Sequence, residues 1–195
     1  KCDFFNSFGA GTEGAGQTMF YPEDHLRALA GEEHLLGSIG RPMYGVDLRL
    51  CDDDLNDVPR GTVGEIHTRS ETVMSGYLDD PERTAQAVVD GWFRAGDLAW
   101  MDDDGFLFLA GRKSDMIIRG GENVYPVEIE TVLLEHPSVS SVAVVGQPDD
   151  YWGEVVVAAI ELAPGHQLDE EALARHCRGR LAAEEVPGRF LEMEN

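Results

Sequence analysis

The chain is poor in cysteine and has no long apolar run, and each shortage excludes a class of protein. Its three cysteines, Cys2, Cys51 and Cys177, lie far apart and form no Cys-x-x-Cys pair. This spacing argues against a disulfide framework and a thiolate zinc site, and it favours a reducing, cytoplasmic location. No run of about 18 apolar residues occurs, and the first residues lack the apolar segment of a signal peptide, so the sequence predicts a soluble protein.

Cationic side chains are scarce as well. The chain has 15 Lys and Arg residues but 37 Asp and Glu residues, which gives a net charge of -22. An acidic excess of this size repels the phosphates of nucleic acids and anionic lipid headgroups. We therefore expect no nucleic acid partner and no integral membrane segment. The apolar share of 43% is large enough for a folded core rather than a disordered tail.

Two motifs of hydrolytic enzymes are missing. The histidines never fall at a His-Glu-x-x-His spacing, and no Gly-x-Ser-x-Gly motif occurs, which disfavours a zinc hydrolase and a serine esterase. The acidic runs 52–54 and 102–105 lack the spacing and the closing glutamate of a calcium-binding loop. We predict that both runs are solvated turns.

The first part of the chain changes from a helical period to a period of two. Residues 22–30 predict a short helix with Leu26 and Leu29 on one face. Alternating apolar and polar residues at 46–50 and 65–69 then predict half-buried antiparallel strands. Residues 36–110 therefore predict a small twisted sheet or open barrel, in which Asp80 and the following proline begin a helix.

The part after Gly111 predicts a different architecture. A strand at 116–118 is followed by a helix at 126–136, two β-branched strands at 139–145 and 154–162, and a helix at about 169–183. The two β-branched runs are expected to be neighbours in one sheet. The fold class is therefore α+β: a small antiparallel sheet or open barrel, then a compact α+β domain.

A glycine-rich segment at residues 6–16 surrounds the pair Thr12 and Glu13. Glycines let the backbone approach a ligand closely, a hydroxyl can donate to a phosphate oxygen, and a carboxylate can hold Mg²⁺. The segment is therefore a candidate phosphate site. A plain glycine-rich surface turn remains the alternative.

Three later features are further candidates. Asp97 could accept hydrogen bonds from the two vicinal hydroxyls of a ribose, or it could be an ordinary turn aspartate. The planar guanidinium of Arg112 suits a ribose or phosphate oxygen, although a surface ion pair is also compatible with this position. Gly120 and Gly121 could let a narrow ligand pass, or they could serve only the turn into the next helix.

Four segments of the chain carry recognisable motifs: Gly-Thr-Glu at 11–13, Trp-Phe-Arg-Ala-Gly-Asp at 92–97, Gly-Arg-Lys-Ser-Asp at 111–115 and Glu-Asn-Val-Tyr-Pro at 122–126. Together they resemble the AMP-forming acyl-CoA synthetases of the adenylate-forming superfamily. In that family an aromatic-Gly-x-Thr-Glu motif binds the nucleotide: its aromatic residue packs on adenine, its Thr contacts the phosphate and its Glu ligates magnesium. The resemblance implies that Phe8, with Gly9 and Gly11, binds the adenine. It implies that Thr12 contacts the phosphate and that Glu13 ligates magnesium. Phe8 stands where tyrosine is usual, and one extra residue separates it from Thr12.

The resemblance also implies roles for the later candidates. Asp97 would bind the ribose of AMP, and Arg112 would contact the nucleotide at the junction of the large and small domains. Ser114 occupies the hinge position, which is more often Asp or Lys in the family. Gly120 and Gly121 would line the pantetheine tunnel during thioester formation.

The implied function is an ATP-dependent acyl-CoA ligase for a fatty or other apolar carboxylic acid, with ATP/AMP, Mg²⁺ and coenzyme A as cofactors. Residues 1–112 would end the large AMP-binding domain, and residues 113–195 would form the small mobile domain, truncated at its end. We expect a fragment, nearly inactive alone, because the upstream phosphate loop is absent and no lysine follows Lys113. Alternatives are a non-catalytic interaction module and an adenylation enzyme that loads a carrier protein or an amine. A homodimer stays open.

Overall fold

The structure is a computed structural model that describes residues 3–14 and 16–193. The chain divides into two compact units, Lys1–Leu109 and Ala110–Asn195. Helices and antiparallel strands alternate in both units, which confirms the α+β class. The predicted start of a mobile domain at residue 113 stays a prediction. Among the described residues, no helix has the length and apolarity needed to cross a membrane.

Two sheets and two α-helices build the first unit. The smaller sheet has the order β1-β2-β3, and the larger has the order β4-β5-β7-β6 with β8 paired to β7. The elements are β1 (Asn6–Gly9), β2 (Gly16–Phe20), α1 (Pro22–Leu29), β3 (Arg41–Pro42), β4 (Asp47–Cys51), β5 (Gly64–Arg69), α2 (Pro81–Ala87), β6 (Val88–Val89), β7 (Trp92–Met101) and β8 (Leu107–Arg112).

Local hydrogen bonds explain where several of these elements begin and end. The carboxylate of Asp80 accepts the amide of Arg83 at 2.9 Å, which confirms the predicted cap of α2. Asp52 accepts the amides of Asp54 and Asn56 at 3.0 and 2.9 Å. The acidic run after β4 is therefore a turn that satisfies its own backbone amides, as predicted.

The face of α1 that carries Leu26 and Leu29 is exposed rather than packed in the core. Leu26 and Leu29 are 67% and 79% exposed, whereas the buried residues of the helix are Asp24 and Ala28. Asp24 can be buried because its carboxylate pairs with Arg41 at 2.8 Å. This pairing offsets the cost of burying the charge of Asp24.

The prediction that β5 is half buried is wrong. Glu65, Ile66, His67 and Thr68 are all buried, so both faces of β5 are covered. Ile66 belongs to an apolar cluster on one face. On the other face, the carboxylate of Glu65 pairs with Arg94 at 2.9 Å, which offsets the cost of burying the charge.

Gly40, just before β3, allows us to predict a large effect on stability. Its φ is +89°, and an added Cβ would lie 2.2 Å from the carbonyl carbon and oxygen of Met19. Gly45 has a φ of +80° but no atom within 4 Å of an added Cβ. Gly45→Ala should therefore lower the free energy of unfolding by about 1–2 kcal/mol through backbone strain alone. Gly40→Ala should add an overpacking cost of about 1–3 kcal/mol.

Urea titrations of the two variants measure the difference directly. Equal losses of unfolding free energy would contradict the close approach between Gly40 and the backbone of β2.

The second unit is one sheet packed against two helices. The strand order is β10-β9-β12-β11, and β13 adds parallel to β12. The elements are β9 (Ile117–Arg119), β10 (Glu122–Val124), α3 (Pro126–Leu134), β11 (Val139–Asp149), β12 (Gly153–Leu162), α4 (Glu170–Arg178) and β13 (Arg189–Glu192). The antiparallel pairing of β11 with β12 confirms that the two β-branched runs are neighbours.

Both helices of this unit are shorter than the sequence predicts. α3 ends at Leu134 rather than near residue 136, and α4 ends at Arg178 rather than near residue 183. Gly179 follows α4, and glycine has a low helix propensity, so the helix ends there. Buried positions at i and i+4 still form the core stripe of each helix: Ile129 and Leu133 in α3, Leu173 and Cys177 in α4.

Candidate functional site

The glycine-rich segment forms the turn between β1 and β2. The strands pair up to Gly9 and Gly16, and the amide of Glu13 donates to the carbonyl of Ala10 at 3.1 Å. Gly11 has a φ of +55°, which favours glycine at this position. The turn leaves Thr12 exposed and Glu13 half exposed, so both side chains are within reach of a ligand.

Two hydroxyl groups hold the carboxylate of Glu13. The hydroxyl of Thr12 donates to Oε2 at 3.0 Å, and the phenol of Tyr77 donates to Oε1 at 3.3 Å. The hydrogen bond from Thr12 is the largest cause that lowers the pKa of Glu13, with smaller contributions from its own backbone, Tyr77 and Arg83. Glu13 is therefore a carboxylate that favours its ionised form.

These groups fit a magnesium ion that is held mainly by a nucleotide. Mg²⁺ is usually bound through one or two carboxylates together with waters and substrate phosphates. Glu13 offers one accessible carboxylate beside the hydroxyl of Thr12. Within 3–14 and 16–193, no group of three or more His, Cys, Asp or Glu residues could hold a metal by itself.

Phe8 lies one residue before the end of β1 and is half buried. It packs against an apolar cluster formed by Leu50, Ile66, Ala99 and Leu107. Part of the ring is thus used by the core, and the stacking of its remaining surface on adenine stays a prediction.

A bulge in β7 orients Asp97. His67 and Glu65 of β5 are two residues apart, but their partners Arg94 and Leu98 in β7 are four residues apart. The extra length is accommodated at Gly96, whose φ is +73°. Bulges of this kind redirect a side chain out of the regular alternation of a strand. Asp97 is 8% exposed.

Arg112 and Ser114 lie in the second unit, because β8 begins in the first unit and ends beyond the boundary at Leu109. Arg112 ends β8, and Ser114 lies in a single 3₁₀ turn, Lys113–Asp115. The hydroxyl of Ser114 donates to Asp115 Oδ1 at 2.7 Å. The binding of the ribose by Asp97 and the contact of Arg112 with the nucleotide stay predictions.

Gly120 and Gly121 form a tight hairpin between β9 and β10. Arg119 pairs with Glu122, and the two glycines have φ values of +63° and +91°. Positive φ at both central residues is the signature of a type I′ turn. The amide of Gly120 also donates to the carbonyl of Trp152 at 2.7 Å, and an added Cβ at Gly120 would lie 3.1 Å from the Trp152 ring. The two glycines therefore turn the chain between two strands rather than directly into α3, and the tunnel role stays a prediction.

Comparison with known proteins identifies the family of the chain. The family model of the AMP-binding enzymes matches residues 2–78, and the model of the AMP-binding enzyme C-terminal domain matches residues 128–194. The chain belongs to the AMP-binding enzyme family. The first family match contains the turn with Thr12 and Glu13.

Named members of the AMP-binding enzymes are similar over most of this chain. A 2-succinylbenzoate–CoA ligase of Geobacillus kaustophilus is 46% identical over 85% of the chain and 34% of its own length. An indoleacetate–CoA ligase of Aromatoleum aromaticum is 44% identical over 81% of the chain and 31% of its own length. The chain thus spans about a third of the length of these relatives.

Solved AMP-binding enzymes have the same fold. The amide bond synthetase McbA from Marinactinospora thermotolerans superposes with a TM-score of 0.87 at 41% identity, covering 98% of this chain and 37% of that one. The o-succinylbenzoate CoA synthetase MenE from Bacillus subtilis, solved with its acyl-adenylate intermediate, superposes with a TM-score of 0.85 at 31% identity, covering 98% and 37%.

The structure adds residues that the sequence did not indicate as part of this AMP-binding enzyme site. Tyr77 contacts Glu13 although 64 positions separate them, and Met74 donates its amide to the carbonyl of Glu13 at 2.8 Å. The ring of Tyr77 lies 4.0 Å from the guanidinium carbon of Arg83. Tyr77 lies between Gly76 and Asp80, the residue that caps α2. This turn sequence is the signal that could have indicated Tyr77.

Proposed function

We propose that the protein containing this chain is an AMP-forming acid–CoA ligase. The observation that carries the proposal is that the Thr12 and Glu13 turn falls in a chain more than 40% identical to acid–CoA ligases. In the first half-reaction, a substrate carboxylate attacks the α-phosphorus of ATP, and pyrophosphate leaves. In the second, the thiol of coenzyme A attacks the acyl carbon, and AMP leaves.

Residues of the first unit serve the adenylation half-reaction in this proposal. Thr12 donates to a phosphate oxygen, Glu13 holds Mg²⁺, and Asp97 accepts the ribose hydroxyls. Phe8, with Gly9 and Gly11 beside it, faces the adenine. A bound Mg²⁺ would offset negative charge on the phosphates as the new ester bond forms.

In this proposal, residues of the second unit contact the nucleotide and the pantetheine arm of coenzyme A. Arg112 supplies a permanent positive charge to the nucleotide. Ser114 is the proposed hinge, because a single 3₁₀ turn leaves few backbone hydrogen bonds to break on rotation. Gly120 and Gly121 give the pantetheine arm a path without side chains.

An aromatic acid is the substrate class that we propose. The relatives are named for 2-succinylbenzoate, indoleacetate and ferulate, all of which carry an aromatic ring. The names give no support to the more specific expectation of a fatty acid.

A second candidate is an adenylate-forming enzyme that passes its acyl group to an amine. The similarity to an amide bond synthetase at 41% identity favours it, because that protein shares the same fold over 98% of this chain. The two candidates share the first half-reaction and differ only in the acceptor.

Pyrophosphate release by the full-length protein tests both candidates. Aromatic and fatty acids are supplied with ATP and Mg²⁺, with and without coenzyme A or a panel of amines. We expect release with aromatic acids, and an acyl-CoA product when coenzyme A is present. An amide product without coenzyme A would select the second candidate, and no release with any acid would leave only a non-catalytic interaction module.

A further inference from the structure

Thr12 cannot perform its proposed role while it keeps its present hydrogen bond. A hydroxyl carries one proton to donate, and the proton of Thr12 goes to Glu13 Oε2. When that proton turns to a phosphate oxygen, Glu13 loses one of the two hydroxyl donors that fix its carboxylate. The donor that remains on Glu13 Oε1 is the phenol of Tyr77.

Tyr77 is itself held rigidly, which a positioning group requires. Its amide donates to Thr84 Oγ1 at 2.9 Å, and Thr84 Oγ1 donates in turn to the carbonyl of Asp80 at 2.8 Å. An added Cβ at Gly76 would lie 2.8 Å from the side chain of Thr84, so the turn is closely packed there. The guanidinium of Arg83 lies over the face of the Tyr77 ring at 4.0 Å.

The segment before Tyr77 binds the glycine-rich turn independently of the phenol. Met74 donates its amide to the carbonyl of Glu13 at 2.8 Å, and the hydroxyl of Thr72 donates to the carbonyl of Gly14 at 3.3 Å. These contacts keep the backbone of the turn in place whatever residue stands at 77. Removal of the phenol oxygen should therefore free only the carboxylate of Glu13.

We propose that Tyr77 is a positioning residue that keeps the carboxylate of Glu13 aimed at the metal–nucleotide complex once Thr12 has turned to the phosphate. The proposal rests on the proposed function, since it assumes that Glu13 holds the divalent ion. Tyr77 acts through Glu13 and touches neither the metal nor the substrate. Arg83 supports it by holding the ring in place and by adding positive charge near the carboxylate.

Binding of Mn²⁺ to the full-length protein, in the presence of a non-hydrolysable ATP analogue, tests this role. Electron paramagnetic resonance measures the free Mn²⁺ that remains. We expect Tyr77→Phe to weaken Mn²⁺ binding by about tenfold, the lower end of what a hydrogen bond to a charged acceptor contributes, because Tyr77 acts on the ion only through Glu13. Tyr44→Phe is the matched control, since Tyr44 is fully exposed and its phenol should not affect the ion.

Two further measurements separate positioning from a structural role. The unfolding midpoint of Tyr77→Phe should match that of the unsubstituted protein, and saturating Mg²⁺ should restore kcat in pyrophosphate release. Mn²⁺ affinity within twofold of the unsubstituted protein would overturn the proposal, as would a loss of affinity that follows a lowered unfolding midpoint. Failure of the unsubstituted protein to bind the metal with the nucleotide would overturn the proposed function as well.

Discussion

Asp97→Asn should weaken the binding of AMP to the full-length protein by about a hundredfold. The substitution keeps the shape of the side chain but replaces one acceptor oxygen with a donor and removes the negative charge. A hydrogen bond to a charged group contributes about 1.5–3 kcal/mol, and each 1.4 kcal/mol is about a tenfold change in affinity. Isothermal titration calorimetry with AMP and Mg²⁺ measures the loss.

The control for this prediction is Asp103→Asn. Asp103 is an exposed residue of the turn before β8, so its substitution removes the same charge from the same unit without touching the bulge at Gly96. AMP affinity should be unchanged in this variant. Equal affinities for AMP in the two variants would show that Asp97 does not bind the ribose.

Gly121→Leu should reduce formation of acyl-CoA by about a hundredfold while adenylation continues at nearly its normal rate. The added side chain would stand in the path that we assign to the pantetheine arm, and misplacement of a reacting group by about 1 Å can cost a factor of a hundred. An added Cβ at Gly121 meets no atom within 4 Å, so the first atom of the new side chain causes no clash. Exchange of pyrophosphate into ATP reports adenylation, and the acyl-CoA product reports the second step.

Gly165→Leu controls for backbone strain. Gly165 has a φ of +84°, close to the +91° of Gly121, and an added Cβ there also meets nothing within 4 Å. The two substitutions therefore impose similar strain on the second unit, but only one of them lies on the hairpin between β9 and β10. A parallel loss of both half-reactions in Gly121→Leu, or an equal loss in Gly165→Leu, would contradict the tunnel assignment.

Features that depend on neighbouring residues were predictable from the sequence. The β-branched runs that become β11 and β12 were recognised because their length and composition suit adjacent strands. The start of α2 was recognised because a capping aspartate and a proline need only their own local geometry.

Features that depend on distant residues were not predictable. The burial of Asp24 follows from Arg41, and the burial of Glu65 follows from Arg94, 29 positions away. Without the pairing of the strands, a charged residue in a short pattern indicates exposure. For the same reason the sequence identified Thr12 and Glu13 but not Tyr77, whose contact with Glu13 depends on the fold of the whole first unit.

The two buried thiols make each unit separately observable. Cys51 lies in the first unit and Cys177 in the second, both are free, and burial raises the pKa of each thiol. Because alkylating reagents attack the thiolate, both side chains should resist them until the surrounding core opens. Cys2 lies outside the described residues and would be replaced with serine. Pulses of iodoacetamide along a urea gradient would then record the opening of each core by mass spectrometry.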